Sequence, residues 1–153
     1  MSTDVYPQEE GAIFDANSYI VPAYPDDTIS EMSAVQPGTT VAGRISVAVA
    51  DALGNGYAIA LKASTGAGAP SRIPIILFGI VKVSLTATHT CTAGDSVMNN
   101  TTTTFSSGAS LGITFTSLVP RGSSHIMGIA LQGGGGPAAA RSDEILICVG
   151  RQT

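Results

Sequence analysis

The residues best suited to nucleophilic chemistry lie together late in the chain. Ser123, Ser124 and His125 are consecutive and Asp143 follows, so the residue types of a serine–histidine–aspartate triad are present. On a strand, however, Ser124 and His125 would point to opposite faces, and no glycine-flanked nucleophile elbow surrounds Ser123. We therefore expect no nucleophilic site here, and interpret His125 as an edge-strand residue near a loop.

The carboxylates are also poorly placed for acid–base chemistry. Glycosidase chemistry needs two carboxylates that face each other across a cleft, whereas the adjacent Asp143 and Glu144 would diverge on a strand. Asp95 ends the turn signal Ala93-Gly94-Asp95, where an aspartate usually accepts hydrogen bonds from nearby backbone N–H groups. Together with the missing triad, this pattern predicts that the protein is not an enzyme.

Two cysteines are present, and their neighbours give little support for a metal site. His89 and Cys91 are potential ligands, but only Cys148 and His125 remain to complete a zinc site, and no Cys-x-x-Cys pair occurs. We expect free thiols at Cys91 and Cys148, with a disulfide as the alternative if their strands are neighbours. No metal and no cofactor are predicted.

Phosphate, nucleic-acid and membrane binding are disfavoured by the order of the residues. The glycine run 133–136 is followed by Pro137 and three alanines rather than by Lys-Ser/Thr, so it predicts a flexible loop. The seven basic residues are spread singly without interleaved aromatics. The longest apolar run, 73–81, is too short to span a bilayer as a helix. The first residues lack the features of a signal peptide, so we expect cytoplasmic synthesis. We also expect no small-molecule substrate.

Charge divides the chain into two parts. Residues 1–38 hold seven acids and no base, whereas residues 39–153 hold four acids and seven bases, so the parts carry −7 and +3. Only 12% of residues are charged, which favours a surface buried against other subunits. This asymmetry predicts an extended, acidic N-terminal arm over residues 1–38 and a separate body over residues 39–153.

Aromatic residues spaced along the arm are typical of anchors that dock on another protein. The alternative is an arm folded over its own body. A capping box at Thr28 and Glu31 predicts one short helix over residues 28–34. The predicted partner-binding residues are Tyr6, Phe14, Tyr19, Tyr24, Asp26 and Asp27.

The body alternates apolar and small or polar residues with the period of a β-strand. Turn signals such as Gly54-Asn55-Gly56 separate the segments. Strands are predicted over residues 41–49, 57–61, 73–88 (with a bend at Gly79), 96–98, 101–105, 112–116, 125–131 and 144–149. We therefore predict an all-β fold, a small β-sandwich or barrel with an extended N-terminal arm and little helix. Residues 118–123, Leu-Val-Pro-Arg-Gly-Ser, match a thrombin recognition sequence and predict an exposed loop to which we assign no native function.

The body resembles the decoration (cement) proteins of tailed-phage capsids over about residues 54–150. The resemblance is carried by Phe78-Gly79-Ile80-Val81, Ala93-Gly94-Asp95-Ser96-Val97, Met127-Gly128-Ile129-Ala130-Leu131 and the closing segment Glu144 to Val149. It implies a homotrimer on the capsid exterior of the virion, bound to the major capsid protein and stabilising the shell. The acidic aromatic arm departs from the family pattern.

Three other functions compete with this one. A trimeric tail-fibre or receptor-binding β module is the main alternative, although no repeat of 20–50 residues is visible. An enzyme of cell-wall or esterase type is disfavoured by the missing constellation of catalytic groups. A pilin-like or surface-layer subunit is disfavoured because a signal peptide is not found.

Overall fold

The computed structural model describes residues 12–13, 18–39, 43–66, 72–86, 89–108, 126–135 and 144–150. These residues contain strands and no helix, so the all-β prediction is confirmed, while the narrower prediction of a sandwich or barrel stays a prediction. In chain order the strands are β1 (Ala12–Ile13), β2 (Tyr19–Pro25), β3 (Ala34–Pro37), β4 (Ser46–Val49), β5 (Ala58–Ala60), β6 (Ile73–Ser84), β7 (Thr90–Cys91), β8 (Ser96–Asn99), β9 (Phe105–Ser107), β10 (Gly128–Ala130), β11 (Gly134–Gly135) and β12 (Glu144–Val149).

Five strands form a closed circuit of hydrogen-bonded pairs, which we call the ring. β2 pairs in parallel with β4, β4 pairs with β3, β3 with β5, and β5 with β6. β6 then pairs back to β2 along its other edge. Alternate side chains of a strand share one face, so one apolar set from each strand fills the ring interior. This set comprises Val21, Ala23, Val35, Val47, Ala58, Ala60, Ile73 and Ile75, with Ile29 from a connecting segment.

A second sheet shares β6 with the ring. Its strands follow in the order β6, β12, β10, β8 and β9, and β1 pairs with β6 as well. Its apolar side chains form a second core together with residues from the outer face of the ring, such as Ile59 and Ile76. The largest fully buried member is Phe105. The two cores therefore lie on opposite faces of the strands that line the ring.

β6 contributes side chains to both cores, and the alternation of its two faces shifts once along the strand. In the pairing with β2, Tyr19 faces Phe78 but Ile20 faces Ile76, so Leu77 is the extra residue of a β-bulge. Ile76 before the bulge and Val81 after it consequently reach the same second core, although they are five positions apart and strict alternation would place them on opposite faces. Gly79 has a φ of 142° at this point, in agreement with the predicted bend.

The helix predicted over residues 28–34 is wrong, because bonds to distant strands determine this segment. The N–H of Met32 donates to the Ala60 carbonyl oxygen at 2.8 Å, and Met32 has a φ of 58°. The buried Ile29 is held from both sides by Ser64: Ile29 N–H donates to Ser64 Oγ, and Ser64 N–H donates to the Ile29 carbonyl. These tertiary hydrogen bonds outweigh the local capping signal.

Two further predictions fail for similar reasons. The threonine run 101–104, expected as an extended strand, is a tight turn in which Thr101 and Thr104 hydrogen-bond to each other. The glycine run 133–136, expected as a flexible loop, contains β11, which pairs with β7. The strand predicted over 112–116 and the loop over 118–123 lie outside the described residues.

The structure places the second half of the predicted arm within the sheet. β2 and β3 belong to the ring, so residues 19–25 and 34–37 pair with strands of the predicted body. The predicted division at residue 38 lies between β3 and β4, which pair with each other. Within the described residues, no helix is long and apolar enough to cross a membrane.

Candidate interaction surface

The described residues contain one serine–histidine contact, which the sequence analysis missed. His89 Nδ1 lies 2.6 Å from Ser106 Oγ, although the two residues are 17 positions apart. Ser106 Oγ also donates to Thr86 Oγ1 at 3.2 Å, and which group donates between Ser106 and His89 depends on the histidine tautomer. Ser106 is fully buried, so a substrate has no access to its hydroxyl. The pair is therefore structural. The residues proposed and rejected for a triad, Ser123, Ser124, His125 and Asp143, lie outside the described residues.

The serine–histidine contact belongs to a polar network that joins β6, β9 and the turn after β8. Thr86 Oγ1 donates to Thr104 Oγ1 at 3.1 Å and accepts from Asn100 Nδ2 at 2.9 Å. Thr104 in turn contacts Thr101 at 2.8 Å. These bonds connect the end of β6, β9 and the turn after β8, so the network stabilises the turn.

The thiols and carboxylates of the described residues form no reactive or metal-binding group. Both cysteines are free, and no cluster of three or more metal-ligand side chains occurs in the part of the chain that the structure describes. Burial raises the pKa of the Cys91 thiol to about 11, and the negative charge of Asp95 acts in the same direction. Asp95 Oδ2 accepts from Thr92 N–H at 2.9 Å, which confirms its predicted role in a turn.

The surface offers exposed aromatic side chains instead. Tyr19 is 60% exposed and Phe78 is 41% exposed, and these residues are direct partners in the β2–β6 pairing. Directly opposite side chains on an antiparallel pair have Cβ atoms about 5 Å apart, so they form one patch, which we call the aromatic pair. A bulge residue follows Ile76 at this place, and Gly150 approaches Phe78 from the end of β12. Both residues of the aromatic pair are therefore held by the backbone of the paired strands β2 and β6.

Tyr24, another predicted anchor, is half-buried beneath two arginines. The guanidinium carbon of Arg44 lies 4.8 Å from the centre of the Tyr24 ring, and that of Arg72 lies 6.0 Å away. Both distances fall in the range of cation–π attraction. Arg44 and Arg72 are exposed, and among the described residues neither forms an ion pair with a carboxylate. We call Tyr24, Arg44 and Arg72 the arginine cluster.

The two aspartates predicted to bind a partner have structural contacts. Asp26 Oδ2 accepts from Thr39 N–H at 2.8 Å, and Asp27 Oδ2 accepts from Val49 N–H at 3.4 Å. These bonds hold the backbone beside the β3–β4 hairpin. Of the other predicted anchors, Tyr19 belongs to the aromatic pair, whereas Tyr6 and Phe14 lie outside the described residues.

No protein-family model matches the chain, and no curated protein matches it. By its fold the chain is an all-β protein, and its surface carries exposed aromatic side chains on paired strands. The case for function therefore depends on the aromatic pair and the arginine cluster.

Proposed function

We propose that this chain is a structural virion protein that binds the outer surface of a tailed-phage capsid and stabilises the shell by bridging major capsid protein subunits. The observation that carries the proposal is the aromatic pair. Two large aromatic side chains lie on directly opposite positions of paired strands and are 60% and 41% exposed to solvent. Exposed aromatics on a rigid support are favoured as contact centres between proteins, because they bury much area with little loss of conformational entropy.

The composition and the fold support a binding role rather than a catalytic one. The chain has little charge, the serine of its serine–histidine contact is fully buried, and burial keeps the Cys91 thiol protonated at neutral pH. A homotrimer that presents three aromatic pairs would bind a symmetric shell with an avidity beyond that of one contact. Adding such contacts between neighbouring capsid subunits would stabilise the shell without any reaction.

The test is co-sedimentation of the purified full-length protein with capsids of the cognate phage that lack it. The key variant is the double substitution Tyr19→Ser and Phe78→Ser, and the matched control is Leu131→Ser, which removes an apolar side chain of 46% exposure elsewhere on the surface. If the pair is buried at the interface, its loss should weaken binding by about 2–4 kcal/mol, or about 30-fold or more. Circular dichroism verifies that each variant is folded.

The role of the N-terminal residues needs a separate deletion. Removing residues 1–38 would delete β2 and β3 from the ring, so a deletion of residues 1–11 is the informative one because it leaves every described strand in place. Weaker capsid binding after this deletion would assign a contact to Tyr6 or its neighbours.

Two results would count against the proposal. Capsid binding that the double substitution leaves unchanged would remove the aromatic pair from the interface. If the folded wild-type protein does not bind capsids but binds host cells or their glycans, the tail-fibre or receptor-binding module becomes the better function.

A further inference from the structure

The arginine cluster has the geometry of a preorganised carboxylate-binding site. The guanidinium carbons of both arginines lie over the Tyr24 ring, and within the described residues neither arginine forms an ion pair, so their N–H donors stay available for a carboxylate. The contact with the ring also restricts the two long side chains before any ligand binds, which lowers the entropy cost of binding. Two positive charges on one aromatic side chain, with no carboxylate of the described residues paired to them, favour an acidic partner.

The chain itself contains a segment of matching charge. Residues 1–11 hold Asp4, Glu9 and Glu10 and no basic residue. The described cations elsewhere are Lys82, which pairs with Glu144 at 2.9 Å, and Lys62, which lies beyond β5. The arginine cluster thus places two of the four cations of the described residues over one aromatic ring.

The position of β1 decides between the same copy and a second copy. β1 is antiparallel to β6, with Ala12 opposite Val81 and Ile13 opposite Ile80. Ala12 therefore lies toward the Ser84 end of β6, whereas Arg72 precedes the opposite end. Val81 and Ile73 are separated along β6 by roughly 26 Å, at about 3.3 Å per residue. Glu9 and Glu10 lie within three residues of Ala12, about 10 Å of extended chain, so they do not reach Arg72 of their own copy.

We infer that Arg44 and Arg72, stacked on Tyr24, bind the acidic N-terminal residues of a second copy of this chain, with the carboxylates of Glu9 and Glu10 as the ligands. The association links copies through an exchanged segment and a site on the ring. It goes beyond capsid binding and needs no capsid. Because the attraction is between charges near the surface, it weakens as salt concentration rises.

The experiment is sedimentation velocity on the full-length chain over a range of protein concentration, at low and at high salt. Four proteins are compared: wild type, Arg44→Glu/Arg72→Glu, Glu9→Arg/Glu10→Arg, and the chain with all four substitutions. Lys82→Glu is the charge control, because Lys82 is ten positions from Arg72, toward the other end of β6. Each two-site reversal should weaken self-association about tenfold or more, since two attractive pairs become repulsive. The fourfold variant should recover most of the wild-type association, and Lys82→Glu should stay close to wild type.

A covalent trap supports the same conclusion by a route that does not depend on charge. Glu9→Cys with Ile45→Cys, made in a Cys148→Ser background, places one thiol in the acidic segment and one beside Arg44. Oxidation should give a cross-linked dimer on a non-reducing gel, whereas a cross-link within one copy would overturn the assignment to a second copy.

The remaining outcomes are also decisive. Self-association that is unaffected by the arginine reversal, or that the fourfold variant does not recover, overturns the inference. If the arginine reversal abolishes capsid binding but leaves self-association unchanged, the ligand is an acidic segment of another protein and not of this chain. Loss of capsid binding with intact charge-dependent association would instead count against the proposed function alone.

Discussion

Gly79 allows a quantitative test of how β6 passes from the ring to the second sheet. Its φ of 142° lies in a region that side chains rarely adopt, which costs an alanine about 1–3 kcal/mol. A Cβ at this position would also lie 2.7 Å from Ser18 Oγ and 2.8 Å from Ile76 Cδ1. Both atoms lie at the ends of side chains that can move, so relieving this crowding costs about 1 kcal/mol more. We therefore expect Gly79→Ala to lower the free energy of unfolding by about 2–4 kcal/mol.

Two other glycines separate these contributions. Gly94 has a φ of 93° and no atom within 4 Å of an added Cβ, so Gly94→Ala should show backbone strain alone, about 1–2 kcal/mol. Gly128 has no positive φ, but its Cβ would collide with the Cys148 carbonyl oxygen on β12. Because the backbone of a paired strand cannot move aside as a side chain can, Gly128→Ala should show crowding alone, about 3 kcal/mol or more.

The assay is urea unfolding followed by circular dichroism at 25 °C. With a slope of about 2 kcal/mol per M, a loss of 4 kcal/mol lowers the midpoint by about 2 M. The expected order of midpoints is wild type highest, then Gly94→Ala, with Gly79→Ala and Gly128→Ala below it. A midpoint for Gly79→Ala equal to that of Gly94→Ala would refute the reasoning, because crowding at Ser18 and Ile76 would then contribute nothing.

Further predictions concern buried polar and titratable groups. Asn99 is fully buried, its Oδ1 accepts from Gly56 N–H at 2.9 Å and its Nδ2 donates to a neighbouring loop, so Asn99→Ala should cost about 2–4 kcal/mol in the same assay. The raised pKa of Cys91 predicts stability that is fully present below about pH 9 and lost as pH rises through about 11, and Cys91→Ser should remove this part of the dependence. Burial raises the pKa of Tyr57 as well, so a smaller loss in the same direction should persist in that variant. A thiol reagent at neutral pH should modify the partly exposed Cys148 before Cys91, and the reverse order would contradict the burial of Cys91.

The strands were predictable from the sequence where burial follows a strict alternation. The strand predicted over residues 144–149 is β12 with the same bounds, because its buried and half-buried positions alternate from one end to the other. The strand predicted over 73–88 is β6, which ends at Ser84, and Gly79, where a bend was predicted, has a φ of 142°. Local signals sufficed in these places because one residue after another contributes to the same core.

The failures occur where distant hydrogen bonds determine the backbone. Nothing near residue 32 in the sequence indicates that its N–H will donate to Ala60, and that bond excludes the predicted helix. The parallel pairing of Tyr24 with Ser46 closes the ring across 22 residues, and a pattern of hydropathy carries no information on such a partner. The acidic, proline-bearing composition of residues 19–37 suggested an arm, but Val21 and Ala23 alternate with exposed or half-buried neighbours in the manner of a core strand. That alternation was the signal that could have placed this segment in the sheet.

The same shared strand constrains how any binding result is interpreted. Phe78 precedes Gly79, and its partner Tyr19 follows Ser18, the residue that an added Cβ would crowd. A substitution that disturbs the passage of β6 between the two sheets must therefore also displace the aromatic pair. Weakened partner binding by Gly79→Ala would reflect this displacement and not a direct contact of residue 79. Tyr19→Ser with Phe78→Ser removes exposed side chains and leaves both cores intact, so only that variant separates loss of contact from loss of support. If binding falls in the double variant while its free energy of unfolding stays within about 1 kcal/mol of wild type, the interface is assigned to the side chains themselves.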